Sequence, residues 1–234
     1  MEVFPILIAF LSLGLGRILK GATGAGVPII AVLSLSILFD VPTAIAIFSL
    51  PNLLTNIWQG WIFCSEQKST LLVWGFAGFG VLGITLGTYF LTVIGYEKLE
   101  KALGVIVLLF VTFKILNPRW VLNRLLAIKI TPMIGFLAGS LQGITGLSAP
   151  ISLSFLNVMR VERSKFIAAI AVFFGLTAIP QIVLLIYFNI STPNLTFGSL
   201  LGLLSVVSFM PTGQYLAKNG HAVLLMELFY FCFR

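Results

Sequence analysis

Apolar residues run along this chain in long blocks separated by short polar stretches. The blocks fall at about 3–19, 27–39, 43–64, 70–94 and 102–117, then again at about 130–142, 149–158, 166–188, 195–217 and 221–234. Blocks such as 43–64 and 70–94 suit helices that cross a hydrocarbon core of about 30 Å, since a helix rises about 1.5 Å per residue. The second block of each half does not. As helices, 27–39 and 149–158 would reach only about 18 and 15 Å. The pattern therefore predicts an all-α polytopic membrane protein of about 8 to 10 membrane segments, with one helix in each half stopping inside the bilayer.

The breaks before these short helices are alike. "LKGATGAGVP" at 19–28 recurs as "LQGITGLSAP" at 141–150, matching Leu19 with Leu141, Gly21 with Gly143, Thr23 with Thr145, Gly24 with Gly146 and Pro28 with Pro150. The same offset pairs Thr55 with Thr177 and Gln59 with Gln181, and a slightly longer one pairs "GTY" at 87–89 with "GQY" at 213–215. An internal duplication accounts for all of these. It divides a single membrane domain into a first repeat, 1–117, a cytoplasmic linker, 118–129, and a second repeat, 130–234.

Counting crossings makes the two repeats inverted. A broken-helix hairpin contributes an even number of crossings, and the three full spans that follow make each half odd. Loop charges agree. Lys114, Arg119, Arg124 and Lys129 around the linker, the basic 159–165 loop and Lys218 fall on one side, against Glu2, Asp40, the balanced "YEKLEK" loop and Arg234 on the other. The positive-inside rule then places the linker in the cytoplasm and both termini outside. The linker sequence "NPRWVLNRLLAIK" fits either a short amphipathic helix along the headgroups or a plain connector. The last block, 221–234, reads as a short final span or a truncated one.

Composition excludes most other classes. With 59% hydrophobic and 9% charged residues and a mean hydropathy of +1.11, the chain lies far from soluble domains, which carry about 25% charged residues. Its formal charge of +7 is scattered through loops without an aromatic-interleaved basic stripe, so it marks topology and not nucleic-acid binding. Cys64 and Cys232 stand alone, with neither disulfide nor metal-ligand spacing. Glu2 replaces the basic start of a signal peptide. The lone histidine, His221, has no nucleophile, acid pair or metal cluster beside it, and "GATGAG" lacks the Lys-Ser/Thr of a phosphate-binding loop. An enzyme is not expected, and no cofactor is implied.

The chemistry that remains sits at the breaks. A helix that stops within a bilayer must turn its unpaired backbone groups toward protein or a water-lined cavity. Half-helices starting near Val27 and Ala149 would present N–H groups and positive dipole ends to an anion. Delivered from opposite faces by inverted hairpins, two such ends converge near the midplane, as in a transporter site. Lys20 adds a cation within the first motif, where its counterpart is Gln142. At membrane depth each of Lys20 and Arg17 costs about 2.5–3.5 kcal/mol unless paired or hydrated, and no acidic residue lies between Glu2 and Asp40. Two placements fit: an intramembrane tip relieved by an anion or water, or the cytoplasmic interface. Asn52, Thr55, Asn56 and Gln59 share one helical face by their spacing, with Gln181 the repeat partner of Gln59. The candidate substrate-binding residues are thus Lys20, Gly21, Thr23, Gly24, Gly26, Asn52, Asn56, Gln59, Gln142, Gly143, Thr145, Gly146, Ser148 and Gln181. Glu227, the one acidic residue well inside an apolar block, reads as a membrane-edge charge.

The stretches "KGATGAGVPIIAVLSL", "PTAIAIFSLPNLLTNIWQG", "GFLAGSLQGITGLSAPISLSFL" and "RSKFIAAIAVFF" resemble the paired glycine-rich repeats of the TauE/SafE family of sulfite exporter-like permeases. The likeness spans nearly the whole chain. It implies a carrier of small sulfur-containing anions such as sulfite or organosulfonates across the bacterial cytoplasmic membrane, with no ATPase domain of its own. Its partners would be a small anionic solute and the lipid bilayer. A non-transporting membrane scaffold, or a transporter of another small solute, is the alternative that the residues leave open.

Overall fold

The computed structural model describes residues 10–11, 13–16, 18, 20, 27–66, 71–116, 123–159 and 161–191, and then 198–199, 202–204, 208–209, 211–213 and 215. Arg17, Gly21, Thr23, Gly24, Gly26, linker residues 117–122, Lys218, His221, Glu227, Cys232 and Arg234 lie outside them. Every described element is a helix. In chain order these are α1 (Val27–Leu38), α2 (Val41–Ile62), a single 3-10 turn (Cys64–Glu66), α3 (Leu71–Val93), α4 (Tyr96–Leu116), α5 (Arg124–Thr145), α6 (Ala149–Val158) and α7 (Arg163–Tyr187). Phe10, residues 13–16, Ile18 and Lys20 are helical ahead of α1, and Gly198 to Tyr215 include helical positions after α7.

Local chemistry sets these boundaries. Asp40 caps α2, its carboxylate accepting from the Thr43 N–H at 2.7 Å, with proline in the first turn where no N–H is needed. Asn123 caps α5 by accepting from the Leu125 N–H at 3.1 Å. α5 ends at Gly146, whose φ of 73° is left-handed and whose N–H returns to the Gln142 carbonyl at 2.7 Å. α2, α3, α5 and α7 are long and apolar enough to cross a membrane, and their outward faces carry exposed Trp61, Trp74, Leu82, Met133 and Val183. That is the surface expected against lipid. The chain is a multi-pass membrane protein.

Two boundaries differ from the hydrophobic pattern. "YEKLEK", read as a loop, forms the opening turns of α4, its four charged residues exposed and Leu99 buried, with Glu97 in the first turn favouring the positive end of the helix dipole. α5 starts at Arg124 and continues to Thr145, so it takes residues 124–129 from the expected linker and leaves a break of only 146–148 before α6. Charged and glycine-rich flanks hid both helix ends from a reading based on hydropathy.

Helix starts keep the spacing of the paired motifs. α1 and α6, 12 and 10 residues long, begin at Val27 and Ala149, and α2 and α7 begin at Val41 and Arg163. Each pair is separated by the offset seen in the motifs. α2 and α7 lie against one another: a Cβ on Gly175 would touch Asn56 Cβ at 3.9 Å, while Glu66, just past α2, is within electrostatic reach of Lys165 at the start of α7. These helices therefore run antiparallel. On the exposed surface at that end Lys165 also donates to Glu162 at 2.8 Å, which holds the Glu162 carboxyl below its usual range.

α3 and α5 pack in parallel, backbone against backbone. Cβ atoms on Gly83, Gly87, Gly135 and Gly139 would fall on the carbonyls of Phe136, Ser140, Phe76 and Gly80 in turn. Only glycine permits this approach. Phe76 stacks on Phe173 of α7, with centroids 4.3 Å apart and planes at 23°, and touches Phe155 of α6. A second apolar core joins Val32, Leu35, Ile45, Leu99, Leu147 and Leu185.

Candidate functional site

Lys20 is 2% exposed. Its ammonium donates to Asn56 Oδ1 at 2.8 Å and Thr55 Oγ1 at 3.1 Å, both on the buried face of α2. α2 is built to offer those acceptors. The Thr55 hydroxyl gives its own hydrogen to the Pro51 or Asn52 carbonyl (3.0 and 2.9 Å), which leaves its lone pairs for the lysine. Asn56 Nδ2 is held by the Asn52 carbonyl at 2.7 Å and Asn52 Oδ1 at 3.0 Å, so its oxygen is the atom left to face Lys20. The three-and-four spacing of Asn52, Thr55, Asn56 and Gln59 thus forms one network around a cation, and all four are buried.

Gln59 reaches the main chain of the same residue, Lys20. Its Nε2 donates to the main-chain carbonyl of Lys20 at 3.4 Å, and its Oε1 is buried without a hydrogen-bond partner. In the second repeat Gln181 Nε2 donates to the Gln142 carbonyl, also at 3.4 Å. Both glutamines thus bridge to a main-chain carbonyl, that of Lys20 or of Gln142, and the Gln142 carbonyl also accepts from the Gly146 N–H at 2.7 Å. Thr177 likewise repeats Thr55, its hydroxyl bonded to the carbonyl one turn back at 2.8 Å.

The sequence around the second motif diverges where the first carries charge. Gln142 replaces Lys20, Phe174 stands for Asn52 and Ala178 for Asn56. Gln142 Oε1 accepts from Ser148 Oγ at 2.9 Å, so Ser148 binds across the break instead of capping α6. Thr145 closes the turn, donating to the Leu141 carbonyl at 2.8 Å and accepting from the Leu147 N–H at 3.2 Å. Gly146 supplies the left-handed residue. Gly143 lies in the seam with α3, where a Cβ would meet the Thr88 nitrogen at 2.6 Å, which makes it a packing position. Of the first motif, Gly21, Thr23, Gly24 and Gly26 are outside the described residues.

The sequence reading missed Thr88 and Ser140. Their buried hydroxyls lack hydrogen-bond partners beside the Gly87–Gly143 approach, and only the packing of two distant helices brings them together. Among the described residues no group of His, Cys, Asp and Glu is placed to hold a metal. The arrangement holds the Lys20 ammonium against two neutral side-chain oxygens inside an apolar bundle.

No curated protein and no solved structure matches the chain. The family model described as Sulfite exporter TauE/SafE matches residues 8–232. With that match covering nearly all of the chain, and with long apolar helices around a buried polar network, the protein belongs to the sulfite exporter TauE/SafE family.

Proposed function

We propose that this chain is a secondary carrier for a small sulfur-containing oxyanion, such as sulfite or an organosulfonate. The site lies between the two glycine-rich helix breaks near the bilayer midplane of a bacterial cytoplasmic membrane. The observation that carries this reading is the buried Lys20 ammonium held by Thr55 and Asn56. Neutral acceptors offset part of the expense of a cation at that depth, and an anion offsets more. An arriving oxyanion takes over hydrogens that Thr55 and Asn56 now receive, so binding exchanges one set of bonds for another and release stays accessible.

The antiparallel pairing of α2 with α7 and the recurring glutamine bridges support inverted repeats around this site. Alternating access then follows from rocking of helix pairs. The glycine seam ties α3 of the first repeat to α5 of the second, so the moving bodies combine helices from both repeats.

Uptake into proteoliposomes, measured over sulfite, sulfoacetate, taurine, sulfate and acetate, tests the reading. Sulfur oxyanions should accumulate in preference to acetate. Lys20→Gln should weaken the apparent affinity by about tenfold or more, as expected for loss of a charged hydrogen bond. Blank uptake by folded protein, or an indifferent Lys20→Gln variant, would sink it.

A further inference from the structure

We infer that the anion this site selects also carries a hydrogen-bond donor, a hydroxyl or N–H group, and that Gln59 is the residue that reads it. The inference rests on the oxyanion reading above and narrows its substrate class.

It begins from an imbalance in the first repeat. Gln59 is 2% exposed, and its Oε1 is a buried acceptor without a donor. Turning the amide over does not repair this, because Nε2 is needed by the Lys20 carbonyl. A buried carbonyl oxygen left unmatched is unfavourable by an amount comparable to a lost hydrogen bond, so native interiors pair nearly all of them. Gln59 lies three residues beyond Asn56, the group that holds the ammonium. Positions three apart on a helix are about 5–6 Å apart, and a ligand of a few heavy atoms spans that distance. The site thus presents a strong donor, Lys20 Nζ, and one turn away an acceptor that only a donor can satisfy.

A fully aprotic anion uses the first group and leaves the second orphaned. An anion such as a hydroxyalkanesulfonate, an aminoalkanesulfonate or a singly protonated sulfur oxyanion uses both. Lys20 does not serve as that donor, since its ammonium is committed to Thr55 and Asn56. The second repeat keeps the glutamine but has Gln142 in place of the lysine and Ala178 in place of Asn56. The paired donor and acceptor thus belong to the first repeat, and the ligand is read asymmetrically.

The test uses two probes of equal charge that differ by one hydroxyl, ethanesulfonate and 2-hydroxyethanesulfonate. Each is titrated against the full chain in detergent with thermal stabilisation as the readout, and each competes with sulfite uptake in proteoliposomes. 2-Hydroxyethanesulfonate should act at about three- to tenfold lower concentration, the range expected for one added hydrogen bond. Gln59→Leu should bring that ratio to about one, while Lys20→Gln weakens both probes and preserves the ratio. Equal potency of the two probes on the wild-type chain overturns the inference even if Gln59→Leu fails to fold, as does a ratio unchanged by Gln59→Leu. If neither probe nor sulfite binds, the oxyanion reading itself falls and this inference falls with it.

Discussion

At the scale of single residues, the proposed function rests on Lys20 and the two side chains that receive its hydrogens. Asn56→Ala, which installs the residue found at the equivalent position of the second repeat, removes the 2.8 Å acceptor. It should destabilise the folded protein by about 1–3 kcal/mol, because a buried charged donor loses one of its acceptors. Adding Lys20→Gln should recover part of that loss, since the unmet charge disappears with it. A double-mutant cycle in thermal or denaturant unfolding should therefore give a coupling of about 0.5–3 kcal/mol, and strict additivity would contradict the network. Much of this was legible beforehand: Asn52, Thr55, Asn56 and Gln59 share a face by spacing alone, and Lys20 stands out as the only charge in its motif. The direction of the Gln59 amide was not. It is fixed by a main-chain carbonyl 39 residues earlier in the chain, and side-chain polarity carries no record of that contact.

Among the elements, glycines decide how closely helices approach. Gly139→Ala would drive a methyl into the Gly80 carbonyl, a backbone atom that cannot swing away. The expected penalty is about 1–3 kcal/mol, seen as a lower unfolding temperature. Gly104→Ala, in α4 with open space around it, serves as the comparison. It should be neutral or stabilising by about 0.5–1 kcal/mol, because alanine is the better helix former. Equal effects at the two positions would mean that the seam is not formed. Gly146→Ala probes the break itself: its left-handed φ penalises any side chain by roughly 1–2 kcal/mol, and the new methyl would also press on Ile45. Hydropathy found the short helices well, since α6 spans the expected 149–158 and α1 stops one residue before the expected end. It placed the break too broadly. Glycine and threonine in "LQGITG" look unhelical, yet α5 carries through them to Thr145, where the Gly146 N–H and Gln181 Nε2 both close on the Gln142 carbonyl.

For the whole molecule, contacts between the repeats are reciprocal. A Cβ on Gly80 of the first repeat would meet the Phe173 ring of the second, and one on Gly202 would meet Pro51 Cγ at 2.8 Å. Gly80 and Gly202 are repeat partners, as are Pro51 and Phe173. Gly87 similarly abuts the Ser140 carbonyl while Gly213 abuts that of Ile18, the repeat counterpart of Ser140. Such exchange is the pattern that the proposed two-fold relation between halves would produce. Gly80 faces a phenylalanine ring where Gly202 faces a proline, so the paired contacts agree in place and not in residue type.

The reciprocity also yields a test of orientation in the bilayer. Glu66, at the far end of α2, lies near Lys165 at the near end of α7, so the loop before α7 shares an end of the bundle with the loop after α2. α3 then carries the chain to the opposite end, where α4 opens at Tyr96. Glu97 and Glu162, both exposed, should therefore face opposite sides of the membrane. By the positive-inside rule, the basic 159–165 loop predicts that Glu162 faces the cytoplasm. In a background with Cys64→Ser and Cys232→Ser, a membrane-impermeant maleimide should label Glu97→Cys in intact cells and Glu162→Cys only in inside-out vesicles. Labelling of both from one side would rule out the inverted arrangement. Labelling from opposite sides in the reverse sense would keep the inversion and overturn the orientation read from the loop charges.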